Sequence, residues 1–131
     1  MSQPILRPKV LIADDEKVIA DSLAMILNQT GFEARAVYSC ANALELASAF
    51  RPDLLISDVL MSDTNGVDAA IEMRALLPEL QVFLLSGQTG TADMIAKSPA
   101  RDLGFEVLTK PVHPQDLLRK LHSALPMKNV A

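Results

Sequence analysis

The chain has 131 residues, 50% of them apolar, with a formal net charge of -4 and a sequence pI of about 5.0. This length and composition predict one globular domain with a single core rather than a disordered chain. The acidic balance, without a helix-turn-helix pattern or a basic stripe, argues against direct binding to nucleic acid or to an anionic membrane. No apolar run is long enough to span a membrane and no signal-peptide core is present, so a cytoplasmic location is expected.

Short apolar runs alternate with helical patterns along most of the chain. The runs predicted as strands lie at residues 10–13, 32–37, 54–58, 82–85 and 105–109. Helical spacing of apolar residues follows each run, at residues 18 to about 30, 40–50, 66 to about 77, 92–97 and 114–125. Pro99 interrupts the fourth of these patterns, so that helix is expected to be short or irregular.

This order of elements is typical of a parallel sheet covered by helices on both faces. The sequence shows neither an internal repeat nor a second domain. We therefore expect a short lead over residues 1–8, one domain over residues 9–125, and a tail or linker stub over residues 126–131. The single cysteine, Cys40, is interpreted as a small core or helix-start residue.

Chemically active residues recur at the ends of the predicted strands. Asp14 and Asp15 follow the first strand, Asp58 ends the third, Ser86 ends the fourth, and Lys110 follows the fifth. Ligands of open parallel sheets bind at this carboxyl edge. Clustered carboxylates repel one another and call for a cation, and several charged oxygen ligands suit Mg²⁺. A strand-end aspartate can also act as a nucleophile and form an aspartyl-phosphate.

These residues resemble those of the receiver domain of two-component response regulators. The motifs are Asp14-Asp15, Asp58 with Gly66 eight positions on, Ser86-Gly87 and Lys110-Pro111, spread over residues 9–125. The resemblance implies a flavodoxin-like fold with five parallel strands in the order 2-1-3-4-5. It also implies that Asp58 accepts a phosphoryl group from a histidine kinase or phosphotransfer protein in a Mg²⁺-dependent reaction.

The resemblance further implies a role for each site residue. Asp15, Asp58 and the backbone carbonyl of Leu60 would bind Mg²⁺ directly, and Asp14 would act through water. Ser86, Gly87 and Lys110 would contact the phosphoryl group, and the bond between Lys110 and Pro111 would be cis. Such a module catalyses only its own phosphorylation and dephosphorylation, signals to a downstream output that the sequence does not identify, and in some cases forms a homodimer. Glu16 is expected to begin the first helix and to point away from the site.

The chain departs from the family pattern at three places. Ser62 stands where proline is usual, Val107 replaces the usual aromatic residue of the last strand, and Pro99 lies in a slightly long segment between Ser86 and Lys110. Val107 has no ring to turn inward and is stiff at its first torsion. The signal is therefore expected to leave through residues 87–99, a segment rich in small residues.

Three other functions compete with this interpretation. A haloacid-dehalogenase-like phosphatase also uses a strand-end aspartate and Mg²⁺, but it needs a second aspartate where this chain has Leu60. A flavodoxin-like FMN carrier places phosphate after the first strand, where the acidic residues of this chain would repel it. A receiver-like domain that serves only as a docking surface is the third alternative, and the complete acidic set argues against it.

Overall fold

The computed structural model describes residues 5–61, 63, 65–87, 102–125 and 128–129. The strands are β1 (Ile5–Leu6), β2 (Lys9–Ala13), β3 (Glu33–Val37), β4 (Leu54–Asp58), β5 (Gln81–Ser86), β6 (Glu106–Thr109) and β7 (Lys128–Asn129). The helices of the described residues are α1 (Lys17–Gln29), α2 (Cys40–Phe50), α3 (Gly66–Leu76) and α4 (Pro114–Ala124).

Five of the strands form one parallel sheet in the spatial order β3-β2-β4-β5-β6. Counted along the chain within this sheet, the order is 2-1-3-4-5, which confirms the predicted topology. β4 lies at the centre, and all five of its residues are buried. Its last residue, Asp58, therefore reaches the middle of the carboxyl edge of the sheet.

The helices cover both faces of the sheet because alternate strand residues point to opposite sides. On one face, α2 and α3 pack on residues that include Leu11, Leu55 and Leu84. On the other face, α1 and α4 pack on the residues next to these in each strand, among them Ile12, Ile56 and Leu85. Both faces of the central strands are consequently buried, as continuous apolar runs predict.

Local signals in the sequence place the helix starts. Ser39 has an extended backbone, and its side chain accepts a hydrogen bond from the amide of Asn42, so it caps α2 as such residues commonly do. Pro114 occupies the first turn of α4, where its missing amide costs nothing. The helix predicted at residues 92–97 lies outside the described residues.

The two ends of the described chain pair with each other, which the sequence did not indicate. β1 and β7 form a short antiparallel ladder in which Ile5 faces Asn129 and Leu6 faces Lys128. Residues of the predicted lead and tail thus contribute a second, two-stranded sheet. Among the helices that the structure describes, none combines the length and apolar character that crossing a bilayer requires.

Candidate functional site

The carboxyl ends of β2, β4 and β6 bring two aspartates and a lysine together. Asp14 follows β2 and is completely buried, and Asp58 ends β4 with 8% of its surface exposed. The Nζ of Lys110 lies 2.9 Å from Oδ2 of Asp58 and 3.3 Å from Oδ2 of Asp14. The ammonium group therefore neutralises part of the charge that the two buried carboxylates bring to this edge.

A third carboxylate completes an acidic cluster. Asp14, Asp15 and Asp58 each offer one oxygen, and these oxygens lie within 4.8 Å of one another. The backbone amide of Glu16 donates to Oδ1 of Asp14 at 2.9 Å, which holds that carboxylate in place. Oxygen ligands at this density and charge fit a hard divalent cation such as Mg²⁺. The cluster is thus an acidic pocket suited to a metal ion.

Burial and charge act on the cluster in opposite directions. Burial raises the pKa of Asp14, and the hydrogen bond from Glu16 and the positive charge of Lys110 offset only part of this effect. Burial by itself lowers the pKa of Lys110, but its hydrogen bond to Asp58 and the charge of Asp14 outweigh burial, so the pKa is raised overall. Lys110 therefore remains an ammonium group at neutral pH.

The loop between β4 and α3 packs tightly against the end of β4. The amide of Gly66 donates to the carbonyl of Val59 at 2.8 Å, and Leu60 forms an isolated bridge with Asn65. A Cβ atom added to Gly66 would overlap the carbonyl oxygen of Asp58. Only glycine allows this close approach of α3 to the strand end.

β5 and β6 supply the other wall of the site. Ser86 ends β5 beside Thr109, and its carbonyl accepts a hydrogen bond from the amide of Lys110 at 2.9 Å. A Cβ at Gly87 would lie 3.2 Å from Cδ of Lys110, so a larger residue there would require the Lys110 side chain to shift. The peptide bond between Lys110 and Pro111 is cis. Val107 is 40% exposed on β6. Of the segment 87–99 expected to carry the signal, residues 88–99 lie outside the described residues.

A cavity of about 680 Å³ opens beside the acidic cluster. Acidic side chains and Lys110 line one part of it. Apolar residues line most of the rest: Ile19 and Leu23 of α1, Leu60 after β4, Leu85 of β5, and Pro111 and Val112 after β6. Glu16 also lines this cavity, with its Oε1 3.9 Å from Nζ of Lys110. The expectation that Glu16 points away from the site is therefore wrong, because its side chain turns toward the ammonium group.

Asp63 is a residue near the site that sequence reasoning passed over. Its carboxylate accepts hydrogen bonds from the backbone amides of Cys40 and Ala41, both at 3.1 Å. These contacts join the β4–α3 loop to the first turn of α2, more than twenty residues earlier in the chain. No local pattern marks such a contact. Asn65, in contrast, is a helix cap that its position before Gly66 could have revealed, and its side chain accepts from the amide of Val67.

Comparisons with known proteins point to one family. The family described as "Response regulator receiver domain" matches residues 10–122. The chain is 31% identical over 116 residues to the "Probable transcriptional regulatory protein TcrX" of Mycobacterium tuberculosis, a match that covers 88% of this chain and 49% of that protein. It is 27% identical over 122 residues to the "DNA-binding response regulator MtrA" of Mycolicibacterium smegmatis, covering 92% of this chain and 51% of that protein. The chain thus spans about half the length of these curated relatives.

Solved structures support the same assignment. The chemotaxis response regulator CheY4 of Vibrio cholerae superposes with a TM-score of 0.77 at 28% identity, covering 92% of this chain and all of that one (100%). A receiver domain protein of Clostridium thermocellum superposes with a TM-score of 0.80 at 28% identity, covering 90% of this chain and 94% of that one. Because the family match covers most of the chain and the fold agrees, this chain belongs to the response regulator receiver domain family of two-component signalling.

Proposed function

We propose that Asp58 accepts a phosphoryl group from a phosphohistidine of a partner kinase or phosphotransfer protein. The observation that carries this proposal is the position of Asp58 at the end of a buried strand. Two further carboxylates lie within 4.8 Å of it, and the Lys110 ammonium lies 2.9 Å away. A carboxylate placed in this way can act as a nucleophile only if cations balance the negative charge that gathers at the site.

The transfer moves one group between two nucleophiles. A carboxylate oxygen of Asp58 attacks the phosphorus, an O–P bond forms, and the N–P bond of the phosphohistidine breaks. The electron pair of that bond remains on the imidazole nitrogen. Lys110, already paired with Asp58, is within reach of the phosphoryl oxygens and compensates their charge as a mobile point charge. Hydrolysis of the acyl phosphate by water returns Asp58 to its starting state.

The acidic cluster fits Mg²⁺ by its ligand chemistry. Asp15, Asp58 and the backbone carbonyl of Leu60 would hold the ion, with Asp14 acting through water. The ion supplies charge neutralisation for the three carboxylates and for the incoming phosphoryl oxygens. Ser86 and Gly87, at the end of β5, would contact the phosphoryl group from the opposite wall.

A receiver domain signals only when another domain or protein responds to its phosphorylation. TcrX is named as a probable transcriptional regulatory protein and MtrA as a DNA-binding response regulator, and each is about twice as long as the matched region. We infer that phosphorylation changes the conformation of this domain and that a separate domain or protein reads the change. The domain itself acts as a signalling module in the cytoplasm, without direct contact to nucleic acid.

Intact mass spectrometry tests the phosphoacceptor. The parent protein, incubated with acetyl phosphate and Mg²⁺, is expected to gain one phosphoryl group, and Asp58→Asn is expected to gain none. Asp53→Asn is the matched control, because Asp53 directly precedes β4, at the end opposite Asp58, and accepts a hydrogen bond from the amide of Lys9. Labelling of Asp58→Asn at the parental level would refute the assignment.

One observation in the sequence disfavours a haloacid-dehalogenase-like phosphatase. The general acid of the dehalogenase-like mechanism would stand two residues after the nucleophile, and Leu60 in that place has no group to donate a proton. Turnover of a phosphate monoester with Mg²⁺, lost in Asp58→Asn, would favour the phosphatase over the proposed phosphoacceptor function.

A further inference from the structure

Asp63 connects the loop beside the phosphoacceptor to a helix that contributes no residue to the site. The loop leaves Asp58 and returns at Gly66, the first residue of α3. Between these points the Asp63 carboxylate accepts hydrogen bonds from the backbone amides of Cys40 and Ala41, the first two residues of α2. Backbone amides at a helix start lack partners inside the helix, and a carboxylate there is stabilised by the helix dipole.

The same loop carries the backbone group expected to bind the metal. Leu60 lies three residues before Asp63, and its amide is within 3.4 Å of Oδ1 of Asp58. The loop is fixed at its base by the hydrogen bond from Gly66 to Val59 and by the bridge between Leu60 and Asn65. The contact of Asp63 with α2 fixes its outer part, so the loop is held at three places rather than two.

We propose that Asp63 is a positioning residue of the metal and phosphoryl site. By anchoring the β4–α3 loop to the first turn of α2, it holds the Leu60 carbonyl in the place where a cation between Asp15 and Asp58 can use it. This inference rests on the proposed function, because it assumes that the acidic cluster binds Mg²⁺. Asp63 touches neither the ion nor the phosphoryl group and acts through the loop alone.

The first turn of α2 is close enough to sense the charge of the site. Burial is the main cause that raises the pKa of the Cys40 thiol to about 11, and Asp63 adds to the effect through its charge and a hydrogen bond. Asp15 and Asp58 contribute further, which places both carboxylates within electrostatic reach of Cys40. Since coupling between two sites is reciprocal, a contact of Asp63 with α2 that favours an ion in the acidic cluster is itself strengthened when the ion binds.

Two substitutions separate positioning from simple loss of charge. Asp63→Ala removes the charge and the acceptor, whereas Asp63→Asn removes the charge but keeps one acceptor oxygen. We expect Asp63→Ala to weaken Mg²⁺ binding about tenfold, the lower end of the loss when groups that orient metal ligands are removed. Asp63→Asn should lose affinity by a clearly smaller factor. Calorimetric titration of Mg²⁺ into the parent and both variants measures these affinities.

Asp53→Ala is the matched control for this titration. Asp53 is also exposed, and its carboxylate likewise accepts a backbone amide, that of Lys9 at 2.8 Å, but at the opposite end of the sheet. This variant loses the same charge and the same kind of hydrogen bond, and its Mg²⁺ affinity should equal that of the parent. A thermal unfolding curve of each variant verifies that it is folded during the titration.

Amide hydrogen exchange provides a second readout that does not depend on activity. In the parent, Mg²⁺ should slow exchange at Cys40 and Ala41, and in Asp63→Ala this effect should be absent. Equal losses of affinity in Asp63→Ala and Asp63→Asn, or parental affinity in Asp63→Ala, would overturn the positioning role. Failure of the parent itself to bind Mg²⁺ would instead refute the proposed function, and the inference with it.

Discussion

The contact between Gly66 and the end of β4 leads to a quantitative prediction for Gly66→Ala. A Cβ at this position would overlap the carbonyl oxygen of Asp58 and lie 3.0 Å from Oγ of Ser57. The backbone of Gly66 cannot retreat freely, because its amide is bonded to the carbonyl of Val59 at 2.8 Å. Either α3 or the residue that carries the phosphoacceptor carboxylate must therefore shift.

The expected cost follows from two opposing effects. Inserting a methyl group into a packed interior costs about 1–3 kcal/mol. Replacing glycine with alanine in a helix returns at most about 1 kcal/mol, and less at the first helical residue. The overlap is with backbone and side-chain atoms of the buried central strand, so the cost prevails. Gly66→Ala should lower the free energy of unfolding by about 2 kcal/mol and also weaken Mg²⁺ binding, because Asp58 is displaced.

Urea unfolding followed by circular dichroism measures the stability, and titration of Mg²⁺ measures the effect on the site. Gly104→Ala is the control, since Gly104 has a φ of +73° and no atom within 4 Å of an added Cβ. That variant should lose stability through backbone strain alone, about 1–2 kcal/mol, with unchanged Mg²⁺ affinity. A Gly66→Ala variant as stable as the parent, with parental Mg²⁺ affinity, would refute the reasoning.

Three further predictions concern the metal, the buried thiol and the switch. Mg²⁺ at ten times its Kd should raise the free energy of unfolding by about 1.4 kcal/mol, measured by urea unfolding. Asp15→Asn should abolish this gain, whereas Glu16→Gln should retain it because the Glu16 side chain is largely exposed. Burial above all raises the pKa of the Cys40 thiol to about 11 in the folded state, whereas the thiol of an unfolded chain has a pKa of about 8.5. The stability that the buried, protonated thiol contributes is therefore complete below the unfolded pKa and is lost as the pH rises through about 11. Between pH 8.5 and pH 11 the parent should therefore lose about 2–3 kcal/mol more than Cys40→Ala in denaturant titrations, and an identical loss would contradict the shift. Beryllofluoride, which mimics a bound phosphoryl group, should slow amide exchange most in residues 86–100, and Ser86→Ala should reduce this effect. Slower exchange confined to β6 and α4 would contradict the expectation that the signal leaves through residues 87–99.

Local patterns in the sequence determined the sheet and the main groups of the site. Short apolar runs identified the strands of the parallel sheet, and Asp58 and Lys110 could be placed at their ends because a strand has a defined direction. Since all parallel strands end at the same edge, residues far apart in the chain were predicted to meet there. The distance of 2.9 Å between Lys110 and Asp58 agrees with that prediction.

Contacts between distant segments were decided only by the tertiary structure. The pairing of β1 with β7, the turn of Glu16 toward Lys110, and the bonds from Asp63 to the first turn of α2 follow no local pattern. The spacing of apolar residues indicates which side of a helix or strand faces the core, because each turn of a helix and each pair of strand residues buries apolar surface on the same side. Which polar side chain reaches which distant backbone group depends instead on how the packed elements are placed, and that placement exists only once the chain has folded.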